Sequence, residues 1–363
     1  MEKYYWAALS ATPGLGLRNI PFLVDYFGSA RMAYLAAREE YLATGLKFNL
    51  RHLGKFLQNR RQEYPEEVAE FCQREHVRLL CYNDTDYPER LKQTAVPPVA
   101  LYIKGKLPKL KASLAMVGSR RASAYGMKVA QAFAQDLAAA GMEIISGGAK
   151  GIDTASHEGA LQGGGPTVAV LGCGIDVVYP CENQKLFARI REQGALVSEF
   201  PPGTPPLQGN FPQRNRIVSG LAQGILVVEA AQKSGAMITV GFALEEGREV
   251  FCIPGSIFLP NSAGCHSLIK AGARLVDCPE DILEDLLISR PVARDGPSLF
   301  SQPDLKLTPE GQRLLAILTG QPQSLEVLLE TTGFSLATVS KELLDLQLKG
   351  VVAQLSGQRY YRI

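Results

Sequence analysis

Two glycine-rich turns, each with a cation close to glycine, follow short apolar runs near the middle of the chain. Their candidate binding residues are Gly118, Ser119 and Arg120 in the first turn and Gly147, Gly148, Lys150 and Gly151 in the second. Glycine lets a backbone approach an anion closely, and N–H groups at a helix start favour negative charge. Arg120 adds a planar donor fork that suits phosphate oxygens. The turns therefore indicate phosphate binding; the alternative is two tight turns of an α/β domain with Arg120 in solvent.

These turns differ from the two common nucleotide-binding loops. The chain has no G-x-x-x-x-G-K-[ST] motif, and Gly118 lacks the companion glycines of G-x-G-x-x-G. The sequence thus predicts phosphate binding without assigning the site to a mononucleotide or dinucleotide cofactor, and we expect neither a cofactor nor a metal.

The turns are positioned by a regular alternation of apolar runs and helical patterns. Between the two turns, Val129, Phe133 and Leu137 recur at helical spacing, and Gly141 stands where that helix would end. The predicted strands are Leu114–Val117, Met142–Ser146, Thr167–Leu171, Ala195–Glu199, Gly224–Glu229, Glu249–Ile253 and Leu275–Val276. After the second turn, Asp153 and Thr154 can cap a helix, and a proline-rich loop ending in NFPQRNR leads to a helix predicted from Arg216 to Leu221. Alternation of this kind predicts an α/β fold with a Rossmann-like, doubly wound, mainly parallel sheet. Such sheets bind ligands at the carboxyl ends of their strands.

The flanking segments predict two further domains. Residues 1–95 read as a helical domain of the helix-hairpin-helix or sterile-alpha-motif-like kind, residues 96–288 as the Rossmann-like domain, and residues 289–306 as a linker rich in proline and polar residues. Residues 307–363 hold three helical patterns and a β-hairpin, which predicts a winged helix. Its third helix is close to neutral, so a protein-contact or structural role stands beside DNA binding and transcriptional regulation.

More cations and an aromatic ring follow other strands of the predicted sheet. The set of candidate DNA-binding residues is completed by Ser123, Lys185, Asn210, Phe211, Arg214, Asn215 and Arg216. A parallel sheet would gather them at one edge. Phe211, Tyr179 and Pro180 could supply flat faces for bases. Cations with aromatic platforms suit single-stranded nucleic acid, because its bases are exposed and stack. The alternative is that Phe211 belongs to the core and the arginines pair with Glu199 and Glu229.

Composition limits where such a site can be. The chain of 363 residues has a net charge of +2, and residues 112–288 carry 13 basic and 17 acidic residues, so an anionic polymer requires a local basic pocket. No apolar run reaches the length of a membrane span, and we expect no signal peptide. Seven scattered cysteines without C-x-x-C predict free thiols in the cytoplasm, and the four histidines have no ligand spacing.

Several long motifs between about residues 100 and 285 resemble one family. They are MVGSRRAS, SGGAKGIDTASHEGAL, VLGCGIDVVYPCEN, SEFPPGTPP, NFPQRNRIVSGL, VVEAAQKSGAMITVGFALEEGREVFCIPG and AGCHSLIKAGA. With their order and spacing intact, they resemble the DNA-processing protein family DprA, also called Smf. The resemblance implies a cytoplasmic, homodimeric protein that binds single-stranded DNA and loads the RecA recombinase in natural transformation, without catalysis. It also implies DNA contacts at Gly118–Arg120, in the second turn and around Asn210–Arg216.

An enzyme acting on nucleotides is the alternative to a DNA-binding protein. Rossmann-like enzymes that cleave nucleoside monophosphates use a glycine-threonine loop followed by a glutamate. The segment Ser234–Thr239, with Glu245 or Glu246 after it, is a loose match that has one glycine where those enzymes have two. Release of free base from a nucleotide would favour this alternative.

Overall fold

In the computed structural model, the chain forms two compact units, Met1–Gly296 and Pro297–Ile363. The structure describes residues 1–286, 307–319, 321–349, 351–355 and 358–362. The linker predicted at 289–306 lies outside the described residues. None of the described helices combines the length and hydropathy needed to cross a bilayer.

The first unit opens with helices that pack around aromatic side chains. These helices are α1 (Glu2–Ala11), α2 (Ile20–Phe27), α3 (Ala30–Leu35), α4 (Arg38–Ala43), α5 (Leu50–Asn59) and α6 (Tyr64–Arg74). Tyr34 and Tyr41 both lie edge-on to Phe56, with ring centroids 5.9 and 5.8 Å apart. Ser29 accepts a bond from the amide of Met32 and so caps α3. These helices share one hydrophobic cluster with part of the sheet that follows.

A nine-stranded sheet forms the centre of the first unit. Its strands are β1 (Arg78–Cys81), β2 (Ala100–Gly105), β3 (Ser113–Val117), β4 (Glu143–Ser146), β5 (Thr167–Val170), β6 (Ala195–Ser198), β7 (Gly224–Val227), β8 (Glu249–Cys252) and β9 (Arg274–Leu275). They lie in the order β1-β2-β6-β5-β4-β3-β7-β8-β9. From β6 to β9 every pairing is parallel, whereas β1 and β2 pair antiparallel. The predicted mainly parallel, doubly wound fold is therefore confirmed.

Helices cover both faces of this sheet. They are α7 (Glu89–Lys92), α8 (Ala124–Ala139), α9 (Ile152–Gln162), α10 (Gln184–Gln193), α11 (Asn210–Gly220), α12 (Gly235–Glu245), α13 (Ala263–Lys270) and α14 (Pro279–Asp285). The two-residue period of a strand divides β3 between two cores. Leu114 and Met116 join the cluster that contains α8 and α9, and Ala115 and Val117 join the one that contains α11 and α12.

Strand β1 and helix α11 each bear on a boundary that was predicted from the sequence. Strand β1 belongs to the sheet although it precedes the domain boundary predicted at residue 95, and that boundary itself stays a prediction. The prediction that a helix starts at Arg216 was wrong, because α11 begins six residues earlier, at Asn210. Pro212 stands in the first turn of α11, where a helix tolerates proline since the missing N–H would have no partner there.

The second unit has the three helices and the hairpin expected of a winged helix. Its elements are α15 (Pro309–Ile317), β10 (Gln323–Ser324), α16 (Leu325–Thr332), α17 (Leu336–Leu348), β11 (Val352–Leu355) and β12 (Arg359–Arg362). Strand β12 lies between β10 and β11, and all pairings are antiparallel. On α17, Glu342 is buried and accepts a bond from Thr308, while Asp345 pairs with Lys349. The acidic side chains that offset the lysines of this helix are thus engaged within the unit.

Candidate nucleic-acid interface

A cavity of about 700 Å³ opens at the carboxyl ends of β3, β4 and β7. This is the edge at which parallel sheets bind ligands. The predicted site residues that line it are Gly118, Ser119, Arg120, Gly147, Phe211, Arg214 and Asn215. The structure therefore brings together both glycine-rich turns and the start of α11, as the sequence predicted, although segments more than 90 positions apart contribute to the cavity.

An aromatic ring in the lining of the cavity lies close to two cations. The guanidinium carbon of Arg120 lies 5.1 Å from the ring centroid of Phe211, and that of Arg214 lies 6.0 Å from it. The ring of Tyr179 is tilted against that of Phe211, with centroids 5.7 Å apart. Guanidinium groups are attracted to aromatic faces, so this arrangement holds two cations beside a flat apolar surface. Phe211 is not sealed in the core, contrary to the alternative considered from sequence.

Arg214 is fixed in place by backbone carbonyls. Arg214 is only 3% exposed, and its Nη1 donates to the carbonyl oxygens of Gly147 and Val170. A Cβ atom at position 147 would come within 2.5 Å of the guanidinium, so only glycine leaves room for it. Gly147 thus accommodates an arginine, whereas the sequence analysis attributed the glycines to the approach of a phosphate.

A buried carboxylate accompanies Arg214. Asp153 lies in the first turn of α9, lines the cavity and accepts a bond from the amide of Ala149 at 3.2 Å. Burial raises the pKa of Asp153, and the charges of Arg214 and Arg120 oppose that shift. Burial lowers the pKa of Arg214 to about 10, so its guanidinium stays protonated at neutral pH. One acid therefore offsets part, but not all, of the positive charge of the cavity.

The first turn is held rigidly by its neighbours. The amide of Ser119 donates to the carbonyl of Glu229 at 2.7 Å, and the carbonyl of Ser119 accepts from the amide of Ile152 at 3.2 Å. Gly151 has a φ of +81° and lies so close to that same carbonyl that a side chain would not fit. The two turns are thus packed directly against each other, which fixes the backbone that carries Arg120.

Ser123 has a structural position in this assembly. Its side chain caps α8 by accepting from the amide of Gly126 at 3.0 Å, and both its amide and its hydroxyl donate to the carboxylate of Glu229. Ser123 does not line the cavity. Glu229, which the sequence alternative paired with an arginine, holds this cap instead.

Arg216 does not join the cluster of cations. It is buried, does not line the cavity and pairs with Glu199, whose side chain is equally buried, as the alternative from sequence had it. Burial raises the pKa of Glu199, and the adjacent guanidinium opposes that shift. The expectation that Arg120, Arg214 and Arg216 meet at one rim is wrong for Arg216, because a buried ion pair removes it from solvent.

The remaining predicted residues do not line the cavity. Lys150 is exposed and pairs with the exposed Glu182, and Lys185 is exposed on α10. Asn210 starts α11 and donates to the carbonyl of Pro205 at 3.3 Å. Gly148 has a φ of +68° and packs near Phe187, so its role is conformational. An exposed ion pair is worth little in water, so Lys150 remains available to a phosphate.

Several lining residues were missing from the predicted site. They are Arg121, Ala149, Asp153, Tyr179, Gln208, Ser234, Gly235, Thr239 and Asn261. Arg121 and Tyr179 had a usable signal, since one adjoins Arg120 and the other had been noted as an aromatic platform. Asp153 had been interpreted only as a helix cap. Asn261 had no local signal, because it reaches Arg121 from 140 positions away along the chain.

The glutamates required by the enzyme alternative lie elsewhere. Ser234, Gly235 and Thr239 do line the cavity, but Glu245 is exposed on α12 and Glu246 accepts a bond from Ser219. Within the described part of the chain, Asp153 is the one carboxylate that lines the cavity. The geometry thus gives no support to a glutamate acting on a nucleotide in this cavity.

Comparison with known families agrees with the motifs. Residues 78–287 match the family model described as DNA recombination-mediator protein A, and residues 300–358 match the DprA winged helix domain. The chain belongs to this DNA recombination-mediator family. The family match spans the whole sheet and every residue of the cavity, and the winged-helix interpretation of the second unit is confirmed.

Individual relatives extend the similarity beyond the sheet. Protein Smf of Escherichia coli (strain K12) is 40% identical over 337 residues, which covers 90% of this chain and 89% of that protein. The DNA processing protein DprA of Streptococcus pneumoniae (strain ATCC BAA-255 / R6) is 47% identical over 203 residues, covering 56% of this chain and 72% of that one.

Two solved structures of recombination-mediator relatives share the fold. The X-ray structure of DprA from Streptococcus pneumoniae superposes with a TM-score of 0.68 at 36% identity and covers 78% of this chain and 98% of that one. DNA processing protein A from Helicobacter pylori, described for its single-stranded DNA binding mode, gives a TM-score of 0.53 at 29% identity over 58% of this chain and 97% of that one.

Proposed function

We propose that this recombination mediator binds single-stranded DNA in the cavity at the carboxyl edge of its sheet. The observation that carries the proposal is the ring of Phe211 in the cavity lining, with the guanidinium carbons of Arg120 and Arg214 at 5.1 and 6.0 Å from its centroid. A flat apolar face beside cations complements a base and its phosphate. The relative from Helicobacter pylori, described for binding single-stranded DNA, supports the same ligand class.

The position of the ring favours unpaired bases over a duplex. Phe211 lines a cavity and is not raised on a surface, so a base must leave its stack to reach the ring. In a duplex the bases are stacked and present only their edges to a protein in the grooves. A single strand has its bases exposed already, and stacking on an aromatic side chain is tolerant of sequence.

The distribution of charge favours a polymer over one nucleotide. Arg121 extends the positive surface beyond Arg120, and Lys150 and Lys185 are exposed outside the cavity. A mononucleotide needs only the cations at its own phosphate, whereas a strand has further phosphates that require them. We therefore place successive phosphates of the strand on these outer cations.

We further propose that the bound strand is delivered to the RecA recombinase during natural transformation or recombination, by a homodimer in the cytoplasm, without chemistry on the DNA. The description of the matching family as a recombination mediator supports delivery. The absence of a glutamate at the cavity among the described residues gives the nucleotide-cleaving alternative no support. Acceleration of recombinase assembly on a single strand, measured with and without this protein, tests the delivery step.

The DNA-binding step is tested by fluorescence anisotropy with a labelled oligothymidylate and a duplex of equal length across a series of salt concentrations. We expect tighter binding to the single strand and a logarithmic salt dependence of roughly −0.7 per phosphate contacted. Arg120→Ala should weaken binding about tenfold, because it removes a charge-assisted phosphate contact. Arg38→Ala, which removes the same charge from an exposed position on α4, is the matched control and should bind like the unmodified protein. Equal affinity for the single strand and the duplex would contradict the proposal.

A further inference from the structure

A short loop between β8 and α13 displays two large apolar side chains to solvent. Ile257 is 80% exposed and Phe258 is 87% exposed, the highest fractions of any large apolar side chain in the described residues. Apolar residues of this size usually gain free energy by burial, so two adjacent ones in solvent indicate a surface that a partner covers. Neither side chain belongs to the cavity described above.

This loop is held in position at both ends and within its turn. The hydroxyl of Tyr125 donates to the carbonyl of Pro254 at 3.2 Å, and the side-chain amide of Asn261 donates to the carbonyl of Arg121 at 3.1 Å. Within the turn, the amide of Phe258 donates to the hydroxyl of Ser256 at 3.3 Å. These bonds hold the ends of the loop against Arg121 and Tyr125, in the segment that follows Arg120.

The loop adjoins the cavity directly. Asn261 and Arg121 line the cavity, and Asn261 follows Phe258 by only three residues. Because consecutive Cα atoms are about 3.8 Å apart, the Cα atom of Phe258 lies no more than about 11 Å from that of Asn261. Tyr125, itself 51% exposed, lies beside the base of the loop through its bond to Pro254. Tyr125, Ile257 and Phe258 thus form an apolar strip next to the basic rim of the cavity at Arg121.

The chemistry of this strip identifies its occupant. The partner must present an anion to the exposed Arg121 and a flat apolar face to Phe258 at a short distance from it. Unpaired bases on a phosphodiester backbone have both features, and exposed aromatic side chains bind them by stacking. We propose that Phe258, with Ile257 beside it, is a second stacking platform for the single strand where it leaves the cavity. This inference rests on the proposed function.

Tryptophan fluorescence tests the stacking directly. Trp6 is the only tryptophan and is buried, so Phe258→Trp adds one exposed reporter to the full-length chain. An oligothymidylate of about 20 nucleotides should quench that emission, because stacked bases quench indole. An abasic phosphodiester of equal length should leave the emission unchanged. Met32→Trp, an equally conservative exposed reporter on α3, is the matched control and should show no quenching by either strand.

Affinity measurements complete the test. Phe258→Ala should weaken binding of the oligothymidylate about three- to tenfold and leave binding of the abasic strand unchanged, since only stacking is removed. Unquenched emission from the Phe258→Trp variant, under conditions in which the strand binds, would overturn the inference and leave the proposed function standing. A change in oligomeric state of Phe258→Ala by sedimentation, with unchanged affinity for DNA, would overturn it in favour of a second copy of the chain. Failure of the unmodified protein to bind the strand would overturn the proposed function first.

Discussion

The guanidinium of Arg120 lies over the ring of Phe211, 5.1 Å from its centroid, in the lining of the cavity. The guanidinium carbon of Arg214 lies 6.0 Å from the same centroid, and Arg214 is buried, whereas Arg120 is exposed. A Cβ atom at Gly172 would come within 2.7 Å of the same ring, so the backbone there has room for it only because residue 172 is glycine. The ring and Arg214 are therefore held in place, whereas Arg120 is exposed and, under the proposed function, contacts a phosphate of the strand.

Replacing the ring tests the stacking contribution in the cavity. Phe211→Leu keeps an apolar side chain but removes the aromatic face, and we expect about tenfold weaker binding of a single strand, since a stacked base contributes roughly 1–3 kcal/mol. Phe211→Tyr keeps the face and should bind within about twofold of the unmodified protein. Anisotropy titrations at one salt concentration compare the two. Equal affinities for the leucine and tyrosine variants would show that no base stacks on this ring.

Gly147→Ala tests whether the placement of Arg214 matters. The added Cβ atom would lie 2.5 Å from the guanidinium, which must then leave its carbonyl partners. We expect a loss of about 1–3 kcal/mol in the free energy of unfolding, typical of overpacking, together with weaker DNA binding. Denaturant unfolding and anisotropy measure the two effects.

Gly241→Ala is the control for that substitution. Gly241 lies inside α12 with no atom within 4 Å of an added Cβ, so alanine should stabilise the protein by about 1 kcal/mol through helix propensity. Its DNA affinity should not change. If Gly147→Ala also bound DNA normally, the fixed position of Arg214 would be irrelevant to binding.

The buried His157 should make the protein less stable in acid. Its Nδ1 lies 2.7 Å from the hydroxyl of Thr167, whose proton is donated to the carbonyl of Ile144, so Nδ1–H is the donor and the ring is neutral. Burial lowers the pKa of His157 to about 3, against about 6.5 in an unfolded chain. Protons then bind the unfolded state more readily. The contribution of the neutral histidine to the free energy of unfolding is complete above pH 6.5. It is lost as the pH falls towards 3, at about 1.4 kcal/mol per pH unit.

The control for this pH dependence is His157→Asn, whose side-chain amide can occupy the position of Nδ1–H. Urea unfolding at several pH values between about 7 and about 4 should show a shallower decline for the variant than for the unmodified protein. Parallel curves would mean that His157 titrates alike in the folded and unfolded states.

Arg216 should be needed for stability and not for DNA binding. Arg216→Met leaves the buried Glu199 unpaired, which typically costs about 3–5 kcal/mol of unfolding free energy. The double variant Arg216→Met/Glu199→Gln removes the stranded charge and should recover much of that loss. Because Arg216 lies outside the cavity, the folded double variant should bind a single strand like the unmodified protein. A tenfold weaker affinity would instead restore Arg216 as a DNA contact.

The contrast between Arg214 and Arg216 shows how far the sequence could predict the site. Apolar runs and glycine turns located the strands and the ligand edge, because parallel strands place their carboxyl ends together. Arg214 was predicted to lie in a loop and Arg216 at the start of the helix that follows it, so both arginines were expected at one rim. Arg214 and Arg216 lie two positions apart in α11, so their side chains are separated by about 200° around the helix axis and point in different directions.

The role of Gly147 and the contribution of Asn261 depend on tertiary contacts that no local pattern contains. Gly147 is required by the guanidinium of Arg214, which comes from 67 positions away, and Asn261 reaches the carbonyl of Arg121 from 140 positions away. The class of ligand followed from residue types and motifs, whereas the assignment of each side chain needed the packed structure.

The most direct test of the central claim is photocrosslinking of an oligothymidylate that carries 4-thiothymidine, followed by mass spectrometry of the crosslinked peptides. The account predicts crosslinks at Phe211 and its neighbours in the first turn of α11, with a second set at the Ile257–Phe258 tip. Excess unlabelled single strand should suppress them, and excess duplex should not. Crosslinks confined to residues 1–74 or to residues 307–363, with none at the carboxyl edge of the sheet, would contradict the account.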